Sequence, residues 1–322
     1  MDVTLHQLRL LTQVRTHGTV SAAAAAMRCT PSAASQQLSA LEAVVGSPVV
    51  QRLGRGVQLT DAGHALVRHA DLILKHLEAA RADMEQMRGD IVGTLRVGVL
   101  ESLTSRVLPD LLTVLRDRHP DLTPKTFQVE SFAHQRILSG ELDGAFVVDY
   151  PAAPTRRDQG ISHHFVCRDW FHIVVPADDP LTGPTSPLGA LEGRPMISSS
   201  ERQECGRCVA SACRSAGFEP KVMHEVDNYP SVLNLVAAGA GVALVPGLGL
   251  LNVPDGVRLI EPVGGFCRHV EFAFRESGAE RPSLQAFLAG LDDVAEEAGL
   301  DRCQNEKRSE KSSPRSPWVV PA

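Results

Sequence analysis

No run of eighteen unbroken apolar residues occurs in this 322-residue chain, which excludes an ordinary membrane-spanning helix. The opening "MDVTLHQLRL" lacks a basic start followed by an apolar stretch, so no secretory leader is expected and the default compartment is the cytoplasm. Common catalytic signatures are missing too. There is no G-x-S-x-G elbow, no phosphate-cradling G-x-x-x-x-G-K-[ST], no G-x-G-x-x-G fingerprint and no H-E-x-x-H helix. The glycine-rich "GAGVALVP" follows a helix and runs into a strand, the wrong order for holding phosphate. Seven cysteines are an odd number in a chain without an export signal, so reduced thiols are expected rather than a disulfide framework. The single C-x-x-C has no companion pair or nearby histidines to complete a zinc set, and no metal or cofactor is expected.

What is present is a chain long enough for two or three cores, 43% hydrophobic and with mean hydropathy near zero. Its net charge of −6 hides an asymmetry. Residues 1–60 carry five arginines against Asp2 and Glu42, a net of +3, which leaves −9 on the remainder. A basic end on an acidic body hints at an anion-binding module.

That end reads as three short helices. "TLHQLRLLTQVRTH" places Leu5, Leu8, Leu11 and Val14 on one stripe, stopped by Gly18. Ser21 is expected to cap the alanine-rich second helix. Thr30 and Pro31 open a third, "TPSAASQQLSALEAVVG", ended by Gly46. The tight turn between the second and third helices makes a helix-turn-helix, and "VVQRLGRGVQLT" adds a small hairpin, or wing. From Asp61 the apolar positions Leu66, Ala70, Ile73, Leu77, Ala80, Met84 and Met87 recur at alternating steps of four and three; the pattern fits one helix packed on its own domain or, better, the seam of a coiled coil, so a homodimer is expected through this helix. Beyond "RGDIVG", strands alternate with helices ("TLRVGVL", "TFQVES", "DGAFVVD", "FHIVVP", "VALVP", "HVEFAFR"), which predicts two α/β lobes with a mostly parallel sheet and a cleft between them. The charged, Ser/Pro-rich tail 301–322 is expected to be disordered.

Over residues 3–298 the order of elements resembles a LysR-type transcriptional regulator. The segment "GTVSAAAAAMRCTPSAASQQLSALEAVVGSPVVQRLGRGVQLTDAG" is similar to that family's winged-helix signature, and "LVAAGAGVALVP" to its ligand-domain signature. One departure is Val49-Val50, where members usually carry Leu-Phe; a looser helix-to-wing contact is expected there. The resemblance implies a winged helix-turn-helix over 1–60 and a linker and dimerisation helix over 61–90. It further implies a two-lobe, periplasmic-binding-protein-like α/β effector domain over 91–300, with one lobe about 91–163 and 268–300 and the other about 164–267. Double-stranded DNA, a small-molecule effector, a second or fourth copy of the chain and RNA polymerase are the implied partners, and catalysis is not implied.

On the third helix, Gln36 can offer the paired donor and acceptor that suit adenine, whereas Gln37 is placed closer to the core with Leu38 and Leu41. Thr30, Pro31, Ser32 and Ser35 lie at the helix start, which favours phosphate, and Arg52 and Arg55 on the wing suit backbone or minor-groove contacts. For the effector, Ser102 and Ser131 follow strands at the end where a parallel sheet presents ligands. Ser199, Ser200, Arg202 and Asn228 offer hydroxyls, a cation and an amide suited to a small carboxylate, while Glu101 beside Ser102 either disfavours an anionic effector or accepts an amine. Two other functions compete. Cys205 and Cys208 share a helix face and could form a thiol redox switch; alternatively, the lobes belong to an enzyme or a solute-binding protein that does not bind DNA.

Overall fold

The computed structural model describes residues 2–53, 56–88, 91–129, 132–150 and 157–302, the side chains at 75, 78, 79, 81–83 and 85–88 excepted. Met87's side chain, Arg55, Ser131 and all but the first two residues of the 301–322 segment therefore lie outside the description.

Three helices, α1 (Leu5–His17), α2 (Val20–Ala26) and α3 (Pro31–Val45), precede the hairpin β1 (Val50–Leu53) and β2 (Gly56–Leu59) and the long helix α4 (Asp61–Arg88). Local chemistry sets each boundary. Thr4 and Gln7 form a reciprocal capping box on α1, and Gly18 ends it at φ 65°, a left-handed conformation that costs glycine nothing. The cap of α2 is Thr19, not Ser21: its hydroxyl accepts from the Ala22 N–H at 3.2 Å. Both Thr19 and Ser21 carry a hydroxyl able to cap; the helix begins at Val20, so the cap falls on Thr19. Thr30 caps α3, with Pro31 in its first turn and Gly46 at its end. Leu10, Leu11, Val14, Leu38, Leu41 and Val49 are buried in one core.

The Val49-Val50 junction is tight rather than loose. Glu42 Oε1 accepts from both backbone N–H groups, at 2.9 and 3.3 Å, Val49 is fully buried, and a Cβ at Gly63 would stand 2.1 Å from the Val49 carbonyl. Hydrogen bonds to backbone and a glycine approach replace the bulk of the absent aromatic ring.

The α/β part contains β3 (Gly93–Val99), α5 (Glu101–Arg106), α6 (Leu108–Arg118), β4 (Leu122–Gln128), α7 (Ala133–Leu138), β5 (Gly144–Asp149), β6 (Ile161–Pro176), β7 (Thr185–Ser186), β8 (Pro195–Ser198), α8 (Glu204–Ser215), β9 (Lys221–Glu225), α9 (Tyr229–Ala237), β10 (Ala243–Pro246), β11 (Val257–Pro262), β12 (Cys267–Arg275) and α10 (Pro282–Glu297). The sheet runs β4-β3-β5-β12-β6-β11-β7, with β10 also on β6. Its pairings are mixed rather than mostly parallel. β3 is parallel to β4 and β5, and β11 to β7, but β12 is antiparallel to β5 and β6, and β10 and β11 are antiparallel to β6; β8 and β9 form a separate parallel pair.

The cause is the sixteen-residue β6, which serves both lobes. Residues 161–170 pair with β12, and residues 171–176 with β10 and β11. The chain crosses once within β6 and returns between β11 and β12, so the returning strand enters the first lobe antiparallel. Separate cores fill the lobes, one around Leu111, Phe146, Phe272 and Phe287 and another around Phe171, Ile173, Met196 and Leu244. Asp301 remains structured, accepting from Trp170 Nε1 at 2.9 Å and from the Arg168 N–H at 2.7 Å. Among the described residues no helix is long and apolar enough to cross a membrane.

Candidate nucleic-acid interface and inter-lobe cleft

Helix α3 divides cleanly by face. Ala34, Leu38 and Leu41 are buried, whereas Ser32, Ser35, Gln36, Ser39 and Ala40 are exposed and Gln37 is intermediate. This face is polar, short and uncharged, the kind that lets a helix backbone come close to base edges. Thr30 and Pro31 are exposed at its N-terminus, but the Thr30 hydroxyl is already committed to the Ala33 N–H. Arg52 is exposed on β1, and Leu53 beside it is 65% exposed at the hairpin tip. Arg28, which sequence inspection passed over, stands exposed at φ 53° in the turn leading to α3. The hairpin is held against the helices by Val57 N–H, which donates to the Gly18 carbonyl at 2.8 Å.

Helix α4 spends the start of its stripe on its own chain. Ala70 is fully buried and Leu66 packs on the helical core, while Arg15 pairs with Asp71 at 2.8 Å. Farther along, Leu72, Ile73, Leu77, Ala80 and Met84 are exposed.

Between the lobes lie two adjoining chambers. The inner one, about 150 Å³, is bounded by α5 and the ends of β4 and β5 on one side and by β8, α8 and α9 on the other. At its base Arg268 Nη2 donates to Ser102 Oγ at 2.9 Å and to Asp169 Oδ2 at 2.8 Å, and Arg268 Nε donates to the same Asp169 oxygen at 2.9 Å. Asp169 Oδ1 accepts from the Leu248 N–H at 2.9 Å. All three side chains are buried. Burial opposes the Arg268 charge, but the surrounding phenols and Asp169 outweigh it and hold the guanidinium firmly protonated.

The outer chamber, about 440 Å³, is more charged, with His134, Arg157, His163, Arg202, Arg207 and Glu271 among its lining. Burial and the neighbouring His163 lower the His134 pKa despite Asp158 at 3.1 Å. Burial pushes Glu271 the other way, yet His163 and Arg157 prevail and hold its carboxyl below the usual range.

Of the residues singled out by sequence, Ser102 and Ser199 line the inner chamber and Arg202 the outer. Ser102 is already bonded to Arg268. Ser200 is half buried and lines neither chamber, and Asn228 sits at the mouth, exposed. Sequence reasoning missed Tyr150, Tyr229, Asp169 and Arg268. Tyr150 was findable, since it follows β5 at its C-terminal end; Arg268 gives no such signal, because only the crossing of β6 and β12 brings it beside Ser102.

Comparison with known proteins gives the family. Residues 5–64 match the model "Bacterial regulatory helix-turn-helix protein, lysR family", and residues 88–296 match "LysR substrate binding domain". The chain belongs to the LysR family of DNA-binding transcriptional regulators. Among its relatives is "Probable HTH-type transcriptional regulator LrrA" of Synechococcus elongatus, 26% identical over 92% of this chain and 98% of that protein. A full-length OxyR variant from Pseudomonas aeruginosa shares the fold with a TM-score of 0.64 at 20% identity, covering 90% of this chain and 98% of that one. Full-length CbnR complexed with its target DNA superposes with a TM-score of 0.53 at 24% identity, over 91% of this chain and 99% of that one. As in other LysR regulators, the winged helix is followed by a linker helix and a two-lobe effector domain.

Proposed function

We propose that this LysR regulator reads DNA with the exposed face of α3, using Gln36 with Ser32 and Ser35, while the helix start at Thr30 and Pro31 and the wing arginines Arg52 and Arg55 grip the phosphate backbone. The observation that carries this reading is the division of α3 into a buried aliphatic face and an exposed, uncharged polar one. Two copies pair through the exposed stripe of α4 from Ile73 to Met84, which sets two recognition helices to read a dyad. A small effector held between the lobes favours one lobe arrangement and so shifts the spacing of the DNA-binding heads, a change of population without chemical conversion of the effector. The site of action is the cytoplasm, where the DNA is.

A salt titration of binding to random fragments of the source genome tests this. Enrichment of a dyad-symmetric site is expected. Gln36→Ala should relax the sequence preference, and Arg52→Ala should weaken all fragments and lower the salt slope by about one. Absence of enrichment at every salt concentration, with neither substitution mattering, would make α3 a packing helix only.

A further inference from the structure

The inner chamber holds two hydroxyls to which the described residues offer no partner. Tyr150 is 5% exposed, and its hydroxyl, like that of Ser199, is buried with no hydrogen-bond partner among the described residues. Both residues line the cavity of about 150 Å³. Tyr150 shares the chamber's lining with Cys205, Tyr229 and Arg268. A buried hydroxyl without a partner costs folding free energy, so a retained pair points to a partner that arrives from outside.

Apart from the exposed Glu204, the charged groups described here are, in contrast, already matched. Arg268 is held by Asp169 and Ser102, Asp227 accepts from Gln203 at 2.9 Å, and Glu101 accepts from Asn228. An entering anion would pass Glu101, Glu204 and Asp227 and reach a guanidinium whose charge Asp169 already balances. An entering cation would find no buried carboxylate free to receive it, since Asp169 is committed to Arg268. Between these polar groups the wall carries an aliphatic patch that includes Leu100, Val148, Ile197, Val209, Val232 and Leu244. A space of this volume has room for a molecule about as large as benzene.

We infer that the inner chamber takes a small uncharged organic molecule of about benzene size, carrying one or two oxygens that Tyr150 and Ser199 engage, and that it discriminates against the small carboxylate the sequence suggests. This rests on the effector reading above and narrows it. Recognition by neutral hydroxyls beside an aliphatic patch gives selectivity by subtraction: a charged analogue of equal size must be desolvated and finds no buried counter-charge free to receive it.

Benzyl alcohol, benzoate and benzylamine are close in size and differ in charge. Each is titrated by calorimetry into the full-length protein, the Tyr150→Phe variant and the Ser199→Ala variant, without DNA. Benzyl alcohol is expected to bind at least about 10-fold more tightly than either ion, and Tyr150→Phe to weaken it about 5-fold, the worth of one hydrogen bond. The Tyr150→Phe melting temperature should stay the same or rise, because the lost hydroxyl has no partner among the described residues. The proposal is overturned if benzoate or benzylamine binds more tightly than benzyl alcohol, if no probe binds, or if Tyr150→Phe leaves the benzyl alcohol affinity unchanged. Tight benzoate binding would leave an effector cleft of the opposite class, and operator binding is read separately in the salt titration, so the two failures do not mask each other.

Discussion

Asn228 Nδ2 donates to Glu101 Oε1 at 2.5 Å, joining the start of α9 in one lobe to the first turn of α5 in the other. The same amide caps α9, its oxygen accepting from the Ser231 N–H and hydroxyl at 3.0 Å each. One side chain thus ends a helix and latches the cleft mouth. Asn228→Ala removes both and should cost about 1 kcal/mol in thermal denaturation, typical of a lost cap. Asn228→Asp keeps the cap but sets a second carboxylate against Glu101. At pH 7 this variant should melt near the wild type yet show faster hydrogen exchange at the starts of α5 and α9. Acidification toward pH 4, where a carboxylate pair shares a proton, should restore protection. Identical exchange in Asn228→Asp and wild type would mean that the latch does not hold the lobes.

The buried Arg268–Asp169 pair predicts an asymmetric mutational response. Asp169→Ala leaves a buried guanidinium without its counter-charge and strips the acceptor from the Leu248 N–H, for an expected loss of about 3–5 kcal/mol by urea denaturation. Removing both charges with Asp169→Leu and Arg268→Met should cost less than Asp169→Ala alone, because no uncompensated charge remains. A double variant worse than the single one would show that Arg268 contributes through Ser102 more than through Asp169.

Local signals explain what was legible in the sequence. The α3 cap at Thr30-Pro31, the buried Leu38 and Leu41 against the exposed Gln36, and the strand ends at Val99 and Asp149 all follow from residue types within one element. What escaped depends on tertiary pairing. A strand that leaves one lobe and finishes in the other has no periodic mark, so the first ten residues of β6 and the antiparallel entry of β12 were missed, and with them Asp169 and Arg268. The 4-3 spacing of α4 does not separate the steps that face a partner from those the chain buries itself, such as Ala70 and the core-packed Leu66.

Asp143 gives a stability window in acid. Burial pushes its carboxyl up, but bonds from Arg96, including one from its backbone N–H at 2.7 Å, and the Arg281 charge outweigh this and leave the pKa below its usual value. A group depressed on folding contributes stability that is complete above its unfolded pKa, about 3.9, and is lost as pH falls through the lower folded value. Asp143→Asn should therefore lower stability at pH 7 and flatten its dependence below pH ~4. Urea midpoints at pH 7, 4 and 3 measure this; parallel wild-type and variant curves through that range would remove Asp143 as a source of acid sensitivity.

The cysteines of α8 differ too much in surroundings to act easily as a pair. Cys205 is half buried at the inner chamber, its sulfur 3.9 Å from the Tyr229 hydroxyl, whereas Cys208 lies in the core of the second lobe. Burial, reinforced by Cys205, pushes the Cys208 thiol up to about 12, so its thiolate, the reactive form, is scarce near neutrality. Iodoacetamide at pH 8, followed by mass spectrometry, should label Cys205 at least about 10-fold faster than Cys208. Mild peroxide treatment should change operator affinity by less than about twofold, below the coupling expected of an allosteric switch. A Cys205–Cys208 disulfide under those conditions, with an affinity change that Cys208→Ser abolishes, would demand that Cys208 leave the core and would replace effector control by a thiol switch.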